Sequence, residues 1–244
     1  MVMSPSAYKP TVIRRPRGEW LGGIFGAALI GVLGLAMLTF GILLLIGGAP
    51  GIALLLAVIS AVMLTLFHHV LTDALAKRAW QIARVGSETL ELHLPRHRSL
   101  THSLKPVHRR LELNDIAAIE TRLEAFRSFG MANMQRSFAL RLKTGELIIL
   151  GEDRALGTGM ATSFMADAID TVASFGGLER RDLGTVQGQG GVLSVLLTSV
   201  PPWDAPAVDA ERQAALWTRA RWTGRLALYV SLAVLITAAV RLFL

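Results

Sequence analysis

The chain has 244 residues, of which 52% are hydrophobic, with a formal net charge of +7 and no cysteine. That length suits a membrane anchor plus one domain of about 100–150 residues. The lack of cysteine excludes disulfides, thiolate metal sites and a cysteine nucleophile; the basic residues flank apolar segments, so anionic headgroups account for the charge better than nucleic acid does.

Residues 1–19 read as a flexible tail. Pro5, Pro10 and Pro16 oppose a helix, and Lys9, Arg14, Arg15 and Arg17 precede the first apolar stretch. Residues 20–72 contain no Asp, Glu, Lys or Arg. One helix over that stretch would run ~80 Å at 1.5 Å per residue, far beyond a hydrocarbon core of ~30 Å. Gly47, Gly48, Ala49, Pro50 and Gly51 break it at its middle. The pattern predicts a transmembrane hairpin, with helices over 20–46 and 52–71. Its first helix is too long for the apolar region of a cleavable signal, ~7–15 residues. The turn carries no Lys or Arg, whereas Lys77, Arg78 and Arg84 follow the second helix. The N-terminus and the segment after the hairpin are therefore expected in the cytoplasm, at a bacterial inner membrane.

From the first helix into the turn, Ala27, Gly34, Gly41 and Gly48 recur every seven residues, and Gly22 and Gly26 form a GxxxG. Small residues on one stripe let another helix approach closely. The stripe can pack within the hairpin, against Ala53, Ala57 and Ser60, or against the helices of a partner. Neither helix holds an intramembrane acid or base, which argues against a proton or ion pathway. His68 and His69 fall at headgroup level.

After Trp80 the pattern alternates. Residues 89–94 carry Leu at every second position, residues 110–113 alternate again, and 116–123 reads as another strand. Residues 137–143 and 147–150 flank a turn at 144–146, completing an antiparallel meander of five or six strands. A helix over 162–175 presents Phe164, Met165, Ala168, Ile169, Val172 and Phe175 as one apolar stripe, and Gly176-Gly177 ends it. The fold class is thus an α+β membrane protein.

The sequences ELNDIAAIE at 112–120 and LKTGELIIL at 142–150, with a strand between them and a helix after them, resemble bacterial pleckstrin-homology-like domains of small membrane proteins over residues 79–177. Two membrane crossings before the domain match that family's common arrangement; the C-terminal extension departs from it. The resemblance implies a non-enzymatic binding or scaffold module.

The loop between the first two strands of that domain is rich in base. Arg96, Arg98, Lys105, Arg109 and Arg110 are joined by His97, His102 and His108, with no acid between residues 96 and 110. Each Lys or Arg near an anionic leaflet contributes about 1 kcal/mol, so these five residues are the expected contacts to anionic phospholipid or to an acidic protein surface. His93, His97, His102 and His108 fit no compact zinc motif, and no metal or cofactor is expected. Glu91, Glu112, Glu120, Glu124, Glu146, Glu152 and Asp153 are the available carboxylates. Most are expected at outward strand positions, and no nucleophile-elbow sequence accompanies them.

Residues 178–206 read as a linker, whose Gly-rich run lacks the Lys-Ser/Thr of a phosphate loop. Residues 207–225 predict a juxtamembrane helix, with Trp217, Trp222, Arg219 and Arg221 as interfacial anchors. Residues 226–244 would then cross the membrane a third time, spanning ~28 Å, with the C-terminus in the periplasm. The expected function is an adaptor, an accessory subunit or assembly factor of a larger membrane complex; the alternative is a stand-alone sensor of anionic lipid.

Overall fold

The computed structural model describes residues 11–128, 131–157, 162–190 and 198–243. The tail is not wholly free. Thr11–Arg14 forms β1, which pairs antiparallel with β2, Gln81–Val85, in the register Thr11↔Arg84 to Arg14↔Gln81. Thr11, Val12 and Ile13 are β-branched and suit a strand. Pro16 then stands at the N-cap of α1, Arg17–Ile46. Three residues connect α1 to α2, Pro50–Ala79, with Gly48 at φ +83 and Pro50 at the start of the second helix. The whole hairpin is thus inserted between two paired strands, so the chain leaves and returns on the same side.

Both helices are long and apolar enough to cross a membrane, and only 17% and 11% of their most apolar windows are buried. Helices at the core of a soluble protein would bury that surface; Phe25 and Ile46 are 74% and 78% exposed. The two helices meet along small residues. Added side chains at Gly31 and Gly34 would strike Phe67 and Met63 at 3.0 and 3.2 Å, and the Ser60 hydroxyl donates to the Gly34 carbonyl at 2.8 Å. Ala27, Gly34 and Gly41 are buried in this seam together with Gly31, which the heptad spacing missed. Gly22 and Gly26 face open space.

The second helix does not stop near residue 71. Nothing between 72 and 79 breaks it, and Lys77 pairs with Asp73 at 2.9 Å one turn apart. It runs into the β domain and hands over at Trp80, which is 1% exposed and donates its indole N–H to the Leu150 carbonyl at 2.8 Å.

Eight strands are described, in two four-stranded sheets rather than one meander. The first has the order β1-β2-β3-β4, where β3 is Thr89–Leu94 and β4 is Val107–Glu112, all antiparallel. The second has the order β7-β6-β5-β8: β5 is Ile116–Ser128, β6 Met131–Leu142, β7 Leu147–Leu156 and β8 Arg180–Gln189. The strand β8 lies in the expected linker and pairs parallel with β5. The chain reaches it through α3, Phe164–Gly176, followed by Gly177 at φ +60. Trp80, Ile82, Leu90, Leu92, Ile119, Phe138, Leu140 and Leu150 form the main core, covered by Met165, Ala168, Ile169 and Val172 of α3. Asp153 caps this helix from β7, accepting the N–H groups of Met165 and Ala166 at 3.0 and 2.9 Å.

The juxtamembrane helix and the expected third crossing form one element, α4, Ala210–Phe243, which Gly224 does not break. Leu216, Ala220 and Trp217 pack on Ala125, Ala132 and Met134 in a second, smaller core.

Gly188 sits where β8 touches β5. A Cβ there would stand 2.6 Å from the Phe126 ring and 2.7 Å from the Ser199 carbonyl. Gly188→Ala is therefore expected to destabilise the domain by about 1–3 kcal/mol, read as a lower melting temperature of the purified chain; unchanged melting would mean that β8 is not held there.

Candidate functional site

The loop between β3 and β4 is fixed from within. Arg98 is 6% exposed, and its guanidinium points inward rather than to a surface. Nε donates to the Ile149 carbonyl at 2.6 Å, and Nη1 donates to the Pro95 and Lys105 carbonyls at 2.8 Å, clamping both ends of the loop together. Burial pushes its pKa down to about 10, so the group stays charged at neutral pH. This corrects the expectation that Arg98 meets lipid or a partner: three carbonyls use its donors.

Arg109 and Arg110 belong to β4 rather than to the loop. Arg109 donates to both carboxylate oxygens of Glu146 at 2.8 Å, and Arg110 Nε lies 3.5 Å from Glu91. Arg96 and Lys105 remain exposed in the loop itself.

Past Arg98 the loop folds onto the second sheet. The Ser99 hydroxyl donates to Glu152 at 2.5 Å and accepts the N–H groups of Thr101 and His102 at 3.2 and 3.0 Å. Leu100 N–H donates to the other Glu152 oxygen at 2.9 Å. His102 Nε2 lies 2.9 Å from Glu124, and the Gln135 amide donates to Thr101, Glu124 and Glu152 at 2.8, 2.8 and 3.1 Å.

A chain of buried and part-buried charge extends from this point in both directions. Arg154 bridges Glu152 at 2.6 Å to Asp73 of α2 at 2.8 Å. On the other side Arg122, fully buried, binds Glu124 at 2.7 Å. It donates to the carbonyls of Pro201, Pro202 and Trp203 at 3.2, 2.6 and 2.9 Å, and lies 4.5 Å from the Trp203 ring centroid. Glu120 accepts from the Trp203 indole at 2.7 Å and from Arg141 at 3.0 Å.

Of the seven carboxylates, most of which were expected to face outward, Glu120, Glu124, Glu152 and Asp153 are buried, at 4% exposure or less. Strand alternation places Glu120, Arg122 and Glu124 correctly on the face away from the main core. That face is covered by residues 99–102 and 201–203, which a period-2 reading of one strand cannot see. Burial acts to raise the pKa of Glu124, but the hydrogen bond and charge of His102, and then those of Arg122, more than offset it and hold the carboxyl below its ordinary range. At Asp153 burial wins, and the pKa is raised despite the two α3 N–H groups.

Between the end of α2 and this loop lies a cleft of about 240 Å³. His68, His69 and Asp73 form one wall; Arg96, His97 and His102 line the other. The histidines of the sequence therefore divide. His93 and His108 face each other across β3 and β4 with Nδ1 atoms 3.1 Å apart, and four others gather at the cleft. No group of three or more His, Asp or Glu that could hold a metal ion exists among the described residues. Ser99 and His102 adjoin, but only the backbone N–H of His102 reaches the Ser99 hydroxyl; the imidazole bonds Glu124 and the hydroxyl donates to Glu152, so the nucleophile–base bond of a serine enzyme is not formed.

The interfacial anchors also divide. Trp217 packs in the smaller core, where a side chain at Gly157 would meet its ring at 3.2 Å, so it holds α4 to the β domain. Trp222 is 65% exposed, and Arg219 and Arg221 are exposed as well.

No protein-family model, curated protein or solved structure matches this chain.

Proposed function

We propose that the chain is a three-crossing inner-membrane protein whose β domain lies in the cytoplasm, and that it acts without catalysis as an accessory subunit or assembly factor of a larger membrane complex. The observation that carries this reading is the division of small residues on α1. Gly31, Gly34 and Gly41 are used by the hairpin's own seam, while Gly22 and Gly26 stay open beside the exposed Phe25. A second helix can approach α1 closely there. The insertion of the hairpin between β1 and β2 supports the same reading, because it holds the β domain against the bilayer instead of letting it swing on a linker. In this reading the C-terminal half of α4 is the third crossing, with only Arg241 charged beyond Arg225. A stand-alone lipid sensor would need no open face on α1.

Gly22→Leu with Gly26→Leu is expected to shrink the native assembly seen after mild detergent extraction, with the melting temperature of the chain unchanged. Gly34→Leu, by contrast, is expected to separate the hairpin itself. An assembly of unchanged size in the first variant would remove the partner face. Reporter fusions at Pro50, Gly145 and Leu244 test the topology, which requires outside, inside and outside.

A further inference from the structure

We propose that the cleft between the end of α2 and the β3–β4 loop binds a single phosphate group, held by Arg96 and the imidazoles of His68, His69 and His97, and that the phosphate belongs to a phospholipid headgroup of the adjoining leaflet.

Four observations converge on this. The first is charge. Arg96 and His97 have no hydrogen-bond or ion-pair partner among the described residues. The acid in the opposite wall, Asp73, is already matched by Lys77 at 2.9 Å and Arg154 at 2.8 Å. The cleft thus presents donors with no uncompensated anion. The second is chemistry. A guanidinium offers paired N–H groups that fit phosphate oxygens, and each imidazole offers one N–H when neutral and two when protonated.

The third is rigidity. The loop is held before any ligand arrives, by Arg98 across its two ends and by Ser99 and Leu100 on Glu152. Binding there needs no ordering of the loop backbone and fixes only the side chains that meet the ligand, which lowers the usual cost. The fourth is depth. From Pro50 the uncharged part of α2 runs for ~33 Å at 1.5 Å per residue, against a hydrocarbon core of ~30 Å. His68 and His69 stand ~27–29 Å along it, at the inner edge of that core, so the cleft they open onto meets the headgroup layer, where lipid phosphates lie. This site does not depend on a partner for α1, since a phosphate can occupy the cleft in a lone chain.

The test uses the full chain in detergent, stripped of lipid. Native mass spectrometry follows its titration with phosphatidylglycerol, with and without millimolar inorganic phosphate as competitor. One phosphatidylglycerol is expected to bind at least tenfold more tightly to the wild type than to the Arg96→Ala, His97→Ala double variant. Lys143→Ala, in the exposed turn between β6 and β7, is expected to bind as the wild type does. His68→Gln with His69→Gln, on the opposite wall, provides a second variant that leaves the loop intact, and it is expected to weaken binding too. Retention of the lipid against inorganic phosphate supports a headgroup as the source. Displacement of the lipid, with phosphate itself taken up, overturns that source and assigns the cleft to soluble phosphate. Wild-type affinity in both variants, at unchanged melting temperature, overturns the site.

Discussion

Glu124→Leu is expected to cost about 3–5 kcal/mol of folding stability, because it leaves the charge of Arg122 buried without its carboxylate. Both side chains are fully buried. The carbonyls of Pro201, Pro202 and Trp203 still accept from Arg122, but they carry no net charge to balance it. The His102 ring loses its carboxylate partner as well, and Gln135 loses one of its three acceptors. Adding Arg122→Met should restore part of the loss, since an apolar pair of similar volume carries no desolvation cost. Unfolding of the purified chain followed by tryptophan fluorescence measures both variants; a double variant less stable than the single would contradict this account of the pair.

The same carboxyl sets a pH dependence. Its folded pKa lies below the unfolded one, so ionised Glu124 stabilises the fold above the ordinary glutamate range, and that stability is lost as pH falls through the folded value. Melting temperature is expected to drop in acid more steeply for the wild type than for Glu124→Gln. Parallel acid profiles would show that the interior charge chain is not held by this group.

Trp80→Ala is expected to have an effect of similar size, about 3–5 kcal/mol from loss of a large buried ring. The residue connects the apolar hairpin to the β domain. It follows α2 directly, its indole donates to Leu150 of β7, and its ring meets Phe164 of α3 at 5.4 Å. The guanidinium of Arg15 lies 6.0 Å from the same ring and 5.0 Å from that of Phe164. One side chain thus holds four segments: the strand before the hairpin, the end of the hairpin, β7 and α3. Trp80→Phe keeps the packing but loses the hydrogen bond, and should cost about 1–2 kcal/mol. Thermal melting separates the two variants; Trp80→Ala melting with the wild type would show that hairpin and domain fold independently.

The features legible in the sequence were those with a local cause. A run without charge and a Gly/Pro break specify the hairpin. Alternating leucines specify β3, and the apolar stripe with its terminal glycines specifies α3. What stayed hidden depends on distant partners. The strand β1 is four residues between prolines, too short to carry a period, and it exists because β2 lies beside it. The strand β8 has three glycines or glutamines in its last three positions and little alternation; its pairing with β5 makes it a strand.

The candidate site was legible to the same degree. Charge counting found the basic loop, yet it could not distinguish Arg96, which lines the cleft, from Arg98, whose partners are the carbonyls at both ends of its own loop. His68 and His69 were expected at headgroup level; their position opposite His97 and His102 follows from α2 continuing past residue 71 into the domain. The buried Glu152 had one local signal, an acid pair separated from the apolar residues 147–150 by a single glycine.

The measurement that bears most directly on the proposed function is mass spectrometry of the native assembly extracted from its own membranes in mild detergent. The account requires this chain in a fixed ratio with at least one other integral membrane protein, and loss of that protein in the Gly22→Leu, Gly26→Leu variant. A lone chain, or an oligomer of this chain alone, would contradict it.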